Sequence, residues 1–294
     1  MTFQFSDFVA STGVNGSISA EDILALRRVV WADGLINAPE IEGIFAINAR
    51  LTDSSREWSD FLVEAVTNWL IEAQQPRGYI DEAQANWLIA HVTTEGNCGS
   101  DATLELLVHM LERATSAPQN LRDFTRDQAE KQASNGPISA EKAKMLRRLI
   151  FAPASDRPAG VAQSEAEMLF RIKDAALPHD NAPEWQTLFV QAVGNYLQGF
   201  GGKEPLSRDR EIELERFMND TASGFGGFFA RMAKGGAGQA LAQPIVQPDL
   251  VAQIHTVAQI TGSEQNWLDH ELQMDGQCDA MEQALLKFLA ENAD

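Results

Sequence analysis

The sequence predicts an all-α protein made of two tandem pseudo-symmetric multi-helix repeats, the second split by an insertion of about fifty residues. Three observations support this prediction. Apolar residues recur at helical spacing, the same pattern returns later in the chain, and no stretch shows the apolar–polar alternation of strands bounded by hairpin turns. We therefore expect helices joined by short turns throughout.

The clearest predicted helix covers residues 57–70. Its apolar residues fall on one helical stripe, which consists of Trp58, Phe61, Leu62, Ala65, Val66 and Trp69. Residues 184–197 repeat that spacing with Trp185, Leu188, Phe189, Ala192, Val193 and Tyr196. Aromatic residues at both ends and alanine in the middle indicate a central helix that neighbouring helices approach closely.

The other helices of the first repeat are predicted from capping signals. Ser19, Asn37 and Asp81 each stand where a polar side chain caps the first turn of a helix. Glu40 follows Asn37 by three residues and completes a capping box. The last helix of the repeat is predicted over residues 104–114.

The repeat is seen in matched short motifs. Leu26-Arg27-Arg28 returns as Leu146-Arg147-Arg148, and Asn86-Trp87-Leu88 returns near the C-terminus as Asn266-Trp267-Leu268. The offset between matches rises along the chain, which places an insertion inside the second copy. The predicted organisation is a first repeat with an N-terminal arm (1–117), a connecting helix or linker (118–134), a second repeat (135–198 plus 260–294) and the insertion (199–259).

Charged residues also recur in both copies. Arg27-Arg28 is followed one helix later by Glu40 and Glu42, and Arg147-Arg148 by Glu165 and Glu167. We interpret both sets as ion pairs between neighbouring helices rather than as a site for a substrate anion.

Composition limits the partners and the compartment. The net charge of −19 argues against nucleic acid and against anionic membrane surfaces, since both are bound through clustered Lys and Arg. A basic protein partner or a divalent cation remains compatible. The sequence shows no signal peptide and no apolar run long enough to span a membrane. Two cysteines form no disulfide framework, so we expect a cytoplasmic protein.

The turns between helices share a pattern: glycine, any residue, an apolar residue and then a helix cap. Asp33-Gly34-Leu35-Ile36-Asn37-Ala38-Pro39-Glu40 and Asp275-Gly276-Gln277-Cys278-Asp279-Ala280-Met281-Glu282 are two such turns. They resemble the Asp-Gly-x-Ile-x-x-x-Glu turn of the TerB-like, tellurite-resistance-type helical family. They also resemble the second half of an EF-hand loop.

The EF-hand resemblance implies a candidate cation site. An EF-hand needs oxygen ligands at set loop positions. Val29 and Trp31 break that pattern before Gly34, whereas the C-terminal loop keeps oxygen donors at the required positions. The candidate ligands for Ca²⁺ or Mg²⁺ are Glu271, Asp275, Asp279 and Glu282. The alternative is a plain capped turn that needs no cofactor.

The insertion contains a candidate docking segment. Glycines flank a short cluster of apolar and basic residues between positions 224 and 238. One interpretation is a long connection whose phenylalanines enter the core. The other is a partner-docking segment anchored by Phe225, Phe228, Phe229 and Met232.

The sequence favours a non-enzymatic cytoplasmic protein that binds or scaffolds a protein partner, through the insertion or a groove between the copies. No catalytic residues are predicted: the five histidines are scattered, and neither a phosphate-binding loop nor a nucleophile elbow is present. The first alternative is a divalent-cation-binding stress-response protein. The second is an enzyme of unknown reaction that uses an interior groove.

Overall fold

The computed structural model describes residues 5–12, 16–32, 34, 36–52, 55–94, 96–157, 160–199, 262–273 and 278–291. These residues are predominantly helical, with one two-stranded antiparallel ladder of two residues per strand. The prediction of an all-α fold is confirmed. The elements are α1 (Phe5–Ser11), α2 (Ala20–Val30), α3 (Ala38–Asn48), α4 (Arg56–Thr67) with a π-helical turn (Asn68–Glu72), α5 (Glu82–Val92), β1 (Thr93–Thr94), β2 (Asn97–Cys98), α6 (Asp101–Arg113), α7 (Gln119–Ala133), α8 (Ala140–Ile150), α9 (Gln163–Ala176), α10 (Pro183–Gly199), α11 (Gly262–Gln273) and α12 (Ala280–Glu291).

The chain divides into two compact units. Unit 1 contains Met1–Pro158 and Ala175–Asn181, and unit 2 contains Ala159–Asp174 and Ala182–Asp294. The predicted second repeat begins earlier, at residue 135. The difference arises because α8 packs against α6 and α7 and is therefore grouped with unit 1.

Helix α4 forms the centre of unit 1 and makes its most extensive contact with α6. Trp58, Phe61 and Leu62 are fully buried, as the apolar stripe predicts. The indole Nε1 of Trp58 donates a hydrogen bond to Asn48 Oδ1 at 2.9 Å, so the buried donor is satisfied. The core of unit 1 therefore forms around the predicted central helix.

The predicted helix caps are confirmed. Ser19, Asn37 and Asp81 each accept a hydrogen bond from the backbone three residues later, and all three form capping boxes. Gly34 and Gly78 precede two of these caps with φ of 79° and 82°. Glycine adopts such angles without the steric cost that a Cβ would bring. The last helix of the predicted first repeat, α6, begins three residues earlier than predicted because Ser100 caps it.

Helix α10 has the corresponding place in unit 2, where it packs against α12. Trp185 and Phe189 are fully buried. At Gly194 of α10, an added Cβ would meet the Phe288 ring of α12. A residue without a side chain is thus what allows α10 and α12 to come together.

Aromatic contacts recur between matched positions of the two predicted copies. In unit 1, ring centroids are 5.6 Å apart for Phe45–Trp87 and 4.9 Å apart for Trp69–Trp87. In unit 2, they are 5.7 Å apart for Phe170–Trp267 and 4.9 Å apart for Tyr196–Trp267. These contacts support the duplication, which stays a prediction.

The predicted ion pairs form with different partners. Arg27 pairs with Glu64 of α4 at 2.5 Å, and Arg148 pairs with Glu105 and Glu112 of α6 at 2.7 and 2.5 Å. Glu40 instead caps α3, and the Glu42 carboxylate accepts from side chains of α5. The prediction that these arginines pair with the glutamates one helix later is wrong for Arg27, because α2 turns it towards α4. It is also wrong for Arg148, because α8 packs against α6 and turns this arginine away from Glu165 and Glu167.

Candidate functional site

A groove of about 420 Å³ opens on unit 1 along α4, the π-helical turn and α6. It is lined mainly by polar side chains, four of them carboxylates. The lining residues are Asp60, Val63, Glu64, Thr67, Asn68, Glu72, Glu105, His109 and Arg113. The groove thus combines four carboxylates on its walls with a larger area of apolar surface between them.

Two rows of side chains form the walls. Asp60, Glu64, Asn68 and Glu72 follow one another at four-residue intervals along α4 and its π-helical extension. Glu105, His109 and Arg113 have the same spacing on α6. Residues four apart lie on the same face of a helix. Each row therefore presents its side chains to one side of the helix.

The two walls run in the same direction. Thr67 Oγ1 contacts Met110 Sδ at 3.6 Å, and further along both helices Glu72 pairs with Arg113 at 3.2 Å. One end of the groove therefore carries Asp60, Glu64 and Glu105, and the other end carries the Glu72–Arg113 pair. At a rise of about 1.5 Å per residue, the longer row extends roughly 18 Å.

The π-helical turn begins inside the groove. Ala73 N donates to Asn68 O at 2.9 Å, a bond that spans five residues instead of four. This turn is the last one of the helix, and π-turns are common where helices end. Within the described part of the chain, the half-buried side-chain amide of Asn68 has no hydrogen-bond partner. It can donate to and accept from a molecule that enters the groove.

The groove carboxylates are engaged in ion pairs that solvent reaches. Glu64 pairs with Arg27, and Glu72 pairs with Arg113; the side chains of these four residues are 39–57% exposed. Asp60 lies 4.0 Å from Arg56, and both are mostly exposed. Exposed pairs of this kind are worth about 0–1 kcal/mol. A cationic ligand can therefore replace the resident arginine at small cost.

His109 lies in the middle of the groove. Burial lowers the pKa of His109 below its ordinary value, against the attraction of Glu112, whose Oε2 lies 3.7 Å from Nδ1. The imidazole is therefore neutral at pH 7. At that pH the imidazole therefore adds no positive charge to the groove.

The predicted cation ligands lie in unit 2, and two of them hold a lysine. Lys173 Nζ lies 2.6 Å from Asp279 Oδ2 and 2.6 Å from Glu282 Oε1. Asp275 lies outside the described residues. Glu271 lies on α11, where burial and the nearby Glu167 raise the pKa of its carboxyl. Over the described ranges, no group of three or more His, Cys, Asp or Glu side chains is arranged to hold a metal ion.

Sequence reasoning missed Lys173. It is only 1% exposed, although lysine is rarely buried unless paired. Burial opposes its charge, but hydrogen bonds to Asp174, Asp279 and Glu282 outweigh that effect and raise the pKa of Lys173. The available signal was its position in the apolar stripe of α9, among buried Leu169, Phe170, Ile172 and Ala176.

The structure does not test the predicted docking segment. Phe225, Phe228, Phe229 and Met232 lie outside the described residues, so the docking segment stays a prediction. Cys98 is half-buried, and burial raises the pKa of its thiol to about 11. A thiol with such a pKa is a poor nucleophile at neutral pH.

No family model, curated protein or solved structure matches this chain. No helix in the described part of the chain has the length and apolar character needed to cross a membrane.

Proposed function

We propose that this chain is a cytoplasmic, non-enzymatic binding or scaffold protein of TerB-like helical type, and that a protein partner binds in the acidic groove of unit 1. The observation that supports this proposal is the pair of side-chain rows on α4 and α6, which border one groove with four carboxylates. The partner we propose is a basic segment, because positive side chains complement the groove.

The proposed mechanism is exchange of ion pairs. A Lys or Arg of the partner replaces Arg27 at Glu64 and pairs with the exposed Asp60. The Asn68 amide is available for a hydrogen bond to the partner, and Val63 contributes apolar contact at the floor. Because each exchanged pair is weak, affinity depends on several contacts made together.

The cation-binding alternative gains no supporting observation. The two predicted ligands Asp279 and Glu282 already hold the ammonium of Lys173. A divalent cation at those oxygens would have to displace a buried lysine and leave its charge unpaired, which is costly.

The groove is tested with a fluorescent helical peptide that carries lysines at four-residue intervals, measured by anisotropy at low salt. Replacing Asp60→Asn and Glu64→Gln together should weaken binding about tenfold, from two lost ion pairs. The matched control is Asp127→Asn with Glu82→Gln, which removes the same charge from exposed positions outside the groove. Equal losses in both double variants, or no binding to the wild-type chain, would contradict the proposal.

The predicted docking segment is tested separately. The wild-type chain and a chain lacking residues 223–243 are compared for binding to any partner that depends on the groove. If Phe225, Phe228, Phe229 and Met232 anchor the partner, replacing these four residues by alanine should weaken binding as much as the deletion does. Unchanged binding after the deletion would assign the partner to the groove alone.

A further inference from the structure

The most deeply buried charge cluster in the described part of the chain lies in unit 2, away from the proposed groove. Lys173 on α9 meets two carboxylates at the start of α12, more than one hundred residues later. Asp174 Oδ1 is a third oxygen, 2.9 Å from the same nitrogen. Three carboxylate oxygens therefore surround one ammonium group at 2.6–2.9 Å.

The carboxylates of α12 are positioned independently of the lysine. Asp279 Oδ1 accepts from the backbone N–H groups of Met281 and Glu282 at 2.7 and 2.9 Å. Glu282 Oε2 accepts from Asp279 N at 3.0 Å. Each carboxylate thus uses one oxygen to cap α12 and presents the other to the cation. The helix cap and the cation site are built from the same two side chains.

Burial makes the pairing obligatory. Asp174, whose side chain is 51% exposed, lies at the solvent edge of the cluster. The side chains of Lys173 and Glu282 are each 1% exposed, and that of Asp279 is 14% exposed. Removing the ammonium would leave these carboxylates without a counter-charge in a site that water barely reaches. An unpaired buried charge costs far more than the pair contributes when intact.

We infer that Asp279 and Glu282, with the half-exposed Asp174 at the solvent edge, form a binding site for a primary alkylammonium cation, which Lys173 occupies from within the chain. The site takes a cation with three N–H donors at the end of a slender alkyl stem. The lysine fastens α9 to the first turn of α12. This inference goes beyond the proposed groove and stands if the groove proposal fails.

The test is chemical rescue of Lys173→Ala in the full-length chain. The substitution removes the stem and the ammonium, and it should lower the melting temperature by about 10 °C. Added ethylammonium chloride should restore several degrees by refilling the site. Equal concentrations of sodium chloride and tetramethylammonium chloride are the controls, because neither cation supplies N–H donors.

Lys287→Ala is the matched variant. Lys287 lies on the same helix, α12, and among the described residues its one ion pair is an exposed one with Glu291 at 3.9 Å. It should melt within about 1 °C of the wild type, since exposed pairs contribute little, and ethylammonium should not stabilise it specifically. Equal stabilisation of the wild type and both variants by ethylammonium would overturn the inference. A Lys173→Ala chain as stable as the wild type would also overturn it.

A measurement on the wild-type chain keeps the inference testable if Lys173→Ala does not fold. Amine acylation followed by peptide mass spectrometry should leave Lys173 unmodified while Lys287 reacts. Unfolding in urea should remove that difference. Acylation of Lys173 at the rate of Lys287 in the folded chain would contradict an occupied, closed site.

Discussion

Gly194→Ala should destabilise the protein, contrary to the usual effect of alanine in a helix. In the interior of a helix, alanine is more favourable than glycine by about 1 kcal/mol. At Gly194 the added Cβ would lie 2.5 Å from Phe288 Cε1 and 2.9 Å from Cδ1. The ring would have to move by roughly 1 Å to restore ordinary contact where α10 packs against α12.

The magnitude follows from two opposing terms. Overpacking of a well-packed core costs about 1–3 kcal/mol. Subtracting about 1 kcal/mol of gained helix propensity leaves a net loss of up to about 2 kcal/mol in the free energy of unfolding. Urea denaturation followed by far-UV circular dichroism measures this difference directly.

The second variant, Phe288→Ala, tests the sign of the change that Gly194→Ala makes in the free energy of unfolding. In that background no ring opposes the added methyl group, so Gly194→Ala should stabilise the protein by up to about 1 kcal/mol. Gly43→Ala is a useful comparison, because its Cβ would meet the Phe5 ring of the short helix α1 at the same 2.5 Å. Stabilisation by Gly194→Ala in the wild-type background would refute the close-packing argument.

Three further predictions concern the groove and the cysteine. Arg27→Gln leaves Glu64 unpaired, so the lysine peptide should bind the variant about two- to fivefold more tightly in the anisotropy assay. Because burial lowers the pKa of His109, its neutral form persists down to a pH below 6.5. As the pH falls through the folded-state pKa, the new positive charge on His109 should weaken peptide binding and destabilise the fold. His109→Gln should abolish that step in a pH titration of peptide affinity. A pKa of about 11 leaves Cys98 with about a hundredfold less thiolate at pH 8 than a thiol with an ordinary pKa of 9.0. Iodoacetamide should therefore modify Cys98 slowly in a Cys278→Ser chain until urea is added.

The features that could be predicted from sequence are those fixed by neighbouring residues. Ser19 and Asn37 cap their helices through contacts with residues three positions later, which a short motif specifies completely. The buried stripe around Trp58 follows from helical periodicity, because one face of an amphipathic helix must leave water. Both kinds of signal act within one helix.

The features that sequence reasoning missed depend on how helices are rotated against one another. Arg27 could reach a carboxylate on α3 or α4, and only the packing of α2 on α4 selects Glu64. The groove requires the rows on α4 and α6 to face the same side, and the π-helical turn at Asn68 sets the register of the first row. Lys173 meets Asp279 across a long stretch of intervening chain, so no local pattern links them.

A swap between the predicted copies tests how the charged cluster relates to their shared ancestry. Asn48 and Lys173 occupy matched positions by the repeat offset. Asn48 accepts a hydrogen bond from the Trp58 indole, whereas the matched Trp185 indole is buried and has no acceptor in the described part of the chain. Lysine donates but cannot accept, so the cluster in unit 2 forms at the expense of that indole bond.

The caps of the two matched helices also differ in charge. The neutral side chains of Ser100 and Thr103 cap α6, whereas the carboxylates of Asp279 and Glu282 cap α12. Lys173→Asn alone should lower the free energy of unfolding by about 2–4 kcal/mol, because two unpaired carboxylates cost more than one regained indole bond of about 1 kcal/mol. Adding Asp279→Ser and Glu282→Thr should recover at least half of that loss, because the two unpaired carboxylates are then replaced by the neutral cap side chains found at the matched positions of unit 1. If the triple variant unfolds at the same urea concentration as Lys173→Asn, the matched positions are not interchangeable, and the predicted correspondence of α3 with α9 and of α6 with α12 is wrong.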